Sequence, residues 1–307
     1  MAQPYRGVFG ILLTTFAQDD TIETADLVAQ ANFVAATCQG IVWPVLASEF
    51  YLLDEDEKTD GFVAVAEGNR QRVPFIAGIS SPTTRGAVRL AEAAARAGAD
   101  AVITMAPYFK KVTGVELLKH FKAIASVGLP ICIQNSSWLG GLSTLSASEL
   151  RTLADEIPEV QYLKEEAPAL PETISKVLRA VPGGFQGVFG GAGCRYLIDE
   201  LNRGGAGNMP ACQFADVFGY VVDRYDQGEL MEARRWHAAG LVGYNNVETA
   251  YPRAGSREVL KRRGIIRSSR GRYSGPDELD SAALAEIDAT LEYLEPYLRW
   301  PNHILNP

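Results

Sequence analysis

The stretch EVQYLKEEAP, residues 159 to 168, runs from an apolar segment into Lys164, Glu165 and Glu166. If the segment is a strand, its side chains alternate between faces, so Lys164 and Glu166 share one face and Glu165 takes the other as a structural or outward-facing residue. Nearly apolar surroundings disfavour the charged form of a lysine and favour its free amine. A free amine is a nucleophile towards ketones and gives a protonated Schiff base. Glu166, about 6–7 Å further along the same face at strand rise, favours the ammonium before reaction. After reaction it faces an iminium, where its carboxylate can move a proton on the adjacent carbon. The plain alternative is a lysine and a glutamate that end a strand in solvent as a weak surface ion pair.

Chemistry of this kind needs a frame, and the rest of the chain supplies a regular one. Short β-branched or aromatic runs at 8–16, 40–45, 73–79, 100–106, 129–135, 160–165, 185–190 and 205–210 read as eight strands. Between and after them, helical periodicity marks 22–37, 54–70, 83–97, 113–126, 146–156, 170–180, 194–203 and 211–226. Glycine-bearing phrases such as ARAGAD and NRGGAG end a helix and lead into the next strand. This repeat predicts an α/β fold, a (β/α)8 TIM barrel, in which chemistry sits at the C-terminal ends of the strands. Beyond residue 226 the strand signal stops and helical segments follow near 228–243, 246–263 and 280–298. Residues 1–226 are therefore expected to form the catalytic barrel and 227–307 a helical extension packed on it. No G-x-G-x-x-G follows the first strand and no G-x-x-x-x-G-K-S/T occurs, so a doubly wound nucleotide-binding sheet has no motif behind it.

The totals remove several functions. A formal net charge of −8 disfavours a sequence-independent nucleic-acid binder and a polybasic membrane anchor. The basic cluster KRRGIIRSSRGR, 261–272, reads as a solvated helix end and loop, with an oligomer contact or an anionic ligand as the alternative. Four cysteines without C-x-x-C spacing suggest reduced, mostly buried thiols rather than a zinc or redox site. His120 and His237 lie in helical segments and His303 in the tail, all expected in surface or packing roles, so neither a metal nor a triad is indicated. No basic-then-apolar leader and no long apolar run is present, which points to a cytoplasmic protein.

The other strand ends carry PVLASEF, MAPYFKK, CIQNSSW and GVFGGAG, whose hydroxyl, amide and glycine-rich backbone groups suit a small oxygen-rich acid. The strand-end residues expected to touch it are Ala47, Ser48, Tyr108, Gln134, Gly191 and Met209, with Lys164 and Glu166 catalytic.

From about residue 5 to 240 the chain resembles the dihydrodipicolinate synthase and N-acetylneuraminate lyase superfamily. The resemblance rests on GVFGILLTTF, SEFYLLDEDEK, AGADAVITMAPYF, HFKAIASVGLPICIQN and YLKEE. It implies a Schiff-base lyase on a (β/α)8 barrel, Lys164 as the imine-forming lysine, no metal or nucleotide cofactor, a small 2-keto acid substrate, and a homotetramer or homodimer. It also implies that Ser48 and nearby N–H groups hold the substrate carboxylate. The synthase's proton-relay positions fall on Leu46, Phe109 and Gln134, and its second-substrate arginine on Leu139, which argues against dihydrodipicolinate synthesis. Ser48-Glu49, Gln134, Lys-x-Glu-x-Pro at 164–168 and a helical tail reaching LRW are instead similar to the L-2-keto-3-deoxyarabonate dehydratases. One departure is GVFGGAG, where acidic residues are expected and Gly190, Ala192 and Gly193 stand. A dehydratase of a 2-keto-3-deoxy sugar acid is the reading that follows. A pyruvate-dependent class I aldolase and a non-catalytic keto-acid binder are the alternatives.

Overall fold

In the computed structural model, which describes residues 3–273 and 279–300, eight parallel strands follow one another in chain order around a closed barrel. They are β1 (Gly7–Ile11), β2 (Gly40–Trp43), β3 (Phe75–Gly78), β4 (Ala101–Thr104), β5 (Ile131–Ser136), β6 (Val160–Glu166), β7 (Gly187–Gly190) and β8 (Gly207–Asn208). Each is followed by a helix. These are α1 (Thr24–Thr37), α2 (Glu55–Asn69), α3 (Thr84–Arg96), α4 (Gly114–Ala125), α5 (Ala147–Glu156), α6 (Pro171–Ala180), α7 (Leu197–Asn202) and α8 (Ala215–Asp226). The expected C-terminal helices come next, as α9 (Leu230–Gly243), α10 (Ala254–Arg262) and α11 (Ser281–Leu294). β1 to β5 are buried along their whole length, as parallel strands enclosed on both faces must be.

Several elements are shorter than the sequence pattern predicts, each for a local reason. β1 was expected to reach residue 16, but its ladder stops at Ile11. Beyond it the Gln30 amide of α1 stands in for a neighbouring strand, accepting from Leu13 N at 2.8 Å and donating to Leu13 O at 2.9 Å. β8 is reduced to two residues. Gly207 there has φ +147°, and a Cβ on it would lie 1.9 Å from Gly7 O, so only glycine allows that approach. α7 begins three residues late because Ala192, Gly193 and Cys194 take φ values of +54°, +60° and +63°, a left-handed run that a right-handed helix cannot include. The segment 246–263 is not one helix: a π-turn at Tyr244–Thr249 continues from α9, and α10 starts after Pro252 and Arg253.

The chain divides into two compact units, one built mainly from Pro74–Met209 with the stretch up to Gly7, the other from Val8–Val73 with the chain from Pro210 onward. Within the second unit, the basic segment 261–272 is not the solvated helix end and loop that its composition suggests. Arg263 donates to both carboxylate oxygens of Asp216, at 3.0 and 2.6 Å, and its guanidinium lies over the Phe33 ring. Arg270 pairs with Asp20 at 2.7 Å, Arg272 with Glu57, and Arg262 with Glu258 and Asp288. The Arg267 and Ser268 N–H groups donate to buried Asp26. The acids that receive these donors are mostly far away in sequence, which is why the cluster reads as solvated in one dimension.

His120 is buried, with Nδ1 2.9 Å from Thr84 Oγ1, and burial lowers its pKa to about 4. His237 packs edge-on against Phe218. His303 lies outside the described residues. All four cysteines are buried thiols with no disulfide between them. No helix among the described residues is long and apolar enough to cross a membrane.

The Arg263–Asp216 pair gives a stability prediction, because Asp216 is fully buried and the Arg263 side chain is 3 % exposed. Removing one partner of such a pair leaves the other charge uncompensated. Asp216→Ala should therefore lose about 3–5 kcal/mol, read as a lower urea midpoint. A loss below about 1 kcal/mol would mean that the pair does not hold the tail segment in place.

Candidate active site

β5, β6 and β7 are adjacent, and their register sets Gln134 beside Lys164 and Lys164 beside Phe189. Lys164 and Glu166 share a face of β6, as alternation requires, and their side chains close the distance along the strand. Lys164 Nζ lies 3.0 Å from Glu166 Oε2, with the two side chains 4 % and 18 % exposed, so the pair is not a surface salt bridge. Gln134 Nε2 donates to the same Glu166 oxygen at 2.9 Å. That bond orients the Gln134 amide and leaves its Oε1 buried without a partner among the described residues. A buried acceptor of this kind is costly unless something donates to it.

Glu165 points to the opposite face but does not reach solvent: it is 3 % exposed. Asn135 Nδ2 donates to it at 2.9 Å and Ala167 N at 2.8 Å, and Asn135 in turn clasps the backbone of Leu145. Burial raises the Glu165 carboxyl to about 7, against those two hydrogen bonds, which lower it. Outward-facing thus means facing away from Lys164, into a packed polar seam.

At Gly190, one of the three departures in GVFGGAG, and at its neighbour Gly191, glycine leaves room for acidic side chains from elsewhere in the chain. A Cβ on Gly191 would lie 2.2 Å from Glu166 Oε1, and one on Gly190 would lie 2.1 Å from Glu200 Oε1. Two carboxyl groups from elsewhere in the chain occupy the space that side chains at these positions would fill. Gly191, expected to touch substrate, is the floor on which Glu166 rests. Asn208, at the end of β8, donates through Nδ2 to Gly191 O at 2.7 Å and to Glu200 Oε2 at 2.8 Å, and its Oδ1 accepts from Cys194 N at 3.2 Å. Met209 is buried, and its N–H donates to Gly190 O at 3.2 Å. Tyr108 is buried beside Trp138 and the exposed Phe109, and burial raises its phenol to about 12.

In the second unit, Ala47 and Ser48 belong to a short turn, Leu46–Ser48, after β2. Ser48 Oγ donates to Leu12 O at 2.6 Å and accepts from Val45 N at 3.2 Å, while Ser48 N donates to Val45 O at 2.9 Å. Both donors of Ser48 therefore shape the turn in this arrangement. Thr14 Oγ1 adds a bond to Ser48 O at 2.7 Å, and Glu49, at φ +56°, is held by Arg257 at 2.5 Å.

The residues that sequence reasoning missed are Asn208 and Glu200. A signal for Glu200 was present: it falls on the face of α7 that buries Leu197, Ile198 and Leu201, where a carboxylate has no packing reason to be. Among the described residues no group of three or more His, Cys, Asp or Glu could hold a metal ion. The cluster instead offers an amine, a carboxylate touching it, and an amide with an open acceptor.

The model of the Dihydrodipicolinate synthetase family matches residues 4–269. The chain is 26 % identical over 302 residues to an L-2-keto-3-deoxyarabonate dehydratase of Azospirillum brasilense, covering 96 % of this chain and 97 % of that one. It is 28 % identical to a 4-hydroxy-tetrahydrodipicolinate synthase of Chlorobium luteolum, covering 94 % and 97 %. Among solved structures, a dihydrodipicolinate synthase family protein from Coccidioides immitis has TM-score 0.83 at 21 % identity, covering 96 % of this chain and 97 % of that one. A catalytic lysine mutant of Ruminococcus gnavus sialic acid aldolase also has TM-score 0.83, at 14 % identity, covering 96 % and 98 %. The chain belongs to the dihydrodipicolinate synthetase family and is a lyase of the dihydrodipicolinate synthase and N-acetylneuraminate lyase superfamily.

Proposed function

We propose that the protein dehydrates a 2-keto-3-deoxy sugar acid, of the L-2-keto-3-deoxyarabonate type, to a keto-acid semialdehyde. The observation that carries this reading is the Glu166 carboxylate, 3.0 Å from Lys164 Nζ and bonded by Gln134 at 2.9 Å. Lys164 adds to the C2 carbonyl, and loss of water leaves an iminium. The iminium acidifies C3, and Glu166 takes a C3 proton to give the enamine. The enamine expels the C4 hydroxyl, which leaves as water with the proton that Glu166 returns. Hydrolysis of the conjugated imine and tautomerisation release the semialdehyde and the lysine amine. A single carboxyl acting first as base and then as acid suits an elimination in which both positions lie on one face.

Gln134 supports this division of labour. An amide does not exchange protons near neutral pH, so it holds rather than reacts. Its open Oε1 suits a substrate hydroxyl as donor, while its Nε2 keeps Glu166 in place. A homodimer or homotetramer goes with this reading on the strength of the family resemblance.

Three outcomes test it. Borohydride reduction in the presence of pyruvate should leave a mass adduct on Lys164 that Lys164→Ala abolishes. No adduct with any keto acid would favour a non-catalytic binder. Incubation with 2-keto-3-deoxy acids should yield semialdehyde without pyruvate, whereas pyruvate plus an aldehyde would identify an aldolase. Glu166→Gln should lower turnover by about 10²–10⁴ while still forming the adduct. Unchanged dehydration in that variant would remove Glu166 from the proposed role.

A further inference from the structure

Glu200 has no part in the chemistry just described, yet it is 2 % exposed and sits on a helix face otherwise occupied by leucine and isoleucine. Burial there raises its carboxyl to about 7, the bond from Asn208 opposing and the charges of Asp199 and Glu166 adding. An apolar residue would pack at this position without the desolvation penalty. Its surroundings are also built for it. Gly190 has no Cβ where the Glu200 carboxylate lies, and Asn208 Nδ2 is shared between Glu200 Oε2 and Gly191 O.

The same asparagine closes the turn from Gly191 to Cys194 at both ends, through Gly191 O and Cys194 N. That turn holds Ala192 and Cys194 at φ +54° and +63°. Left-handed conformations cost of order 1 kcal/mol for such residues and persist only where surrounding contacts impose them. Glu166 rests directly on the turn, with Oε1 2.2 Å from where a Gly191 Cβ would stand. One backbone thickness, Gly190-Gly191, thus separates two carboxyl groups, and Asn208 links the outer one to the floor of the inner one.

We propose that Glu200 is a positioning residue: by fixing Asn208 it holds the Gly191–Cys194 turn, and through that turn the Glu166 carboxylate, at the height required for proton transfer at C3. Glu200 itself touches no substrate. The inference rests on the proposed roles of Lys164 and Glu166, so its test separates imine formation from proton transfer.

Exchange of the methyl protons of pyruvate in D2O, followed by NMR, reports the proton-transfer step. Borohydride trapping on Lys164 reports the imine. Glu200→Leu removes the acceptor for Asn208 while keeping the volume apolar, and should slow exchange at saturating pyruvate at least tenfold. Trapping should keep its wild-type dependence on pyruvate concentration. Glu200→Gln restores an acceptor oxygen and should recover exchange to within about threefold of wild type, a rescue that mere packing would not produce, since both variants fill the site. Asn208→Ala gives the same separation through the other member of the pair if Glu200→Leu does not fold. Wild-type exchange in Glu200→Leu or Asn208→Ala with the adduct intact overturns the inference alone. So does equal loss of trapping and exchange. Absence of the adduct in the wild type overturns the reading of Lys164, and this inference with it.

Discussion

A lysine amine and a carboxyl group held 3.0 Å apart out of bulk water, Lys164 with Glu166, set the requirements that the surrounding residues meet. Removing two ionisable groups from water is expensive, and their attraction repays it only with good geometry and further hydrogen bonds. Strand alternation puts both side chains on one face of β6. Gln134, beside Lys164 in register, adds the second bond to Glu166. Gly191 leaves the space that Glu166 fills. Each neighbour is the residue type that the pair needs.

Behind the strands that carry this pair lies a second set of polar contacts, within the same unit. Glu165 with Asn135 and Glu200 with Asn208 are buried carboxyl–amide pairs, and each amide also binds backbone: Leu145 for the first, Gly191 and Cys194 for the second. These contacts tie the loops that leave β5 and β7 to side chains of β6 and α7. Loops that must present chemistry need such support, since nothing in their own sequence makes them rigid.

The other unit uses charge differently. Its tail segment is bound by arginine–carboxylate contacts to Asp20, Glu57 and Asp216, and by backbone donors to Asp26. Arginine suits that work because its planar guanidinium can meet two acceptors at once, as Arg263 does with Asp216. Net charge and a run of basic residues describe such a segment poorly, since its partners are recruited from across the chain.

The eight-fold alternation of strand and helix was legible from periodicity, because strands repeat every two residues and helices every 3.6, and both patterns are local. Lys164 and Glu166 were legible for the same reason: alternation alone puts them on one face. Element ends were less so, since Gln30 stops the ladder of β1, a left-handed run delays α7, and neither shows in composition. The contact of Gln134 with Glu166, the burial of Glu165, the glycine floor at 190–191 and the Glu200–Asn208 support all depend on which strands lie side by side and how closely backbones approach. Those are non-local distances. Sequence by itself determined the repeat and the chemistry of the residues at the strand ends. Only the tertiary structure decided which of those residues meet, because hydrogen bonds and steric gaps are set by atoms that are distant along the chain.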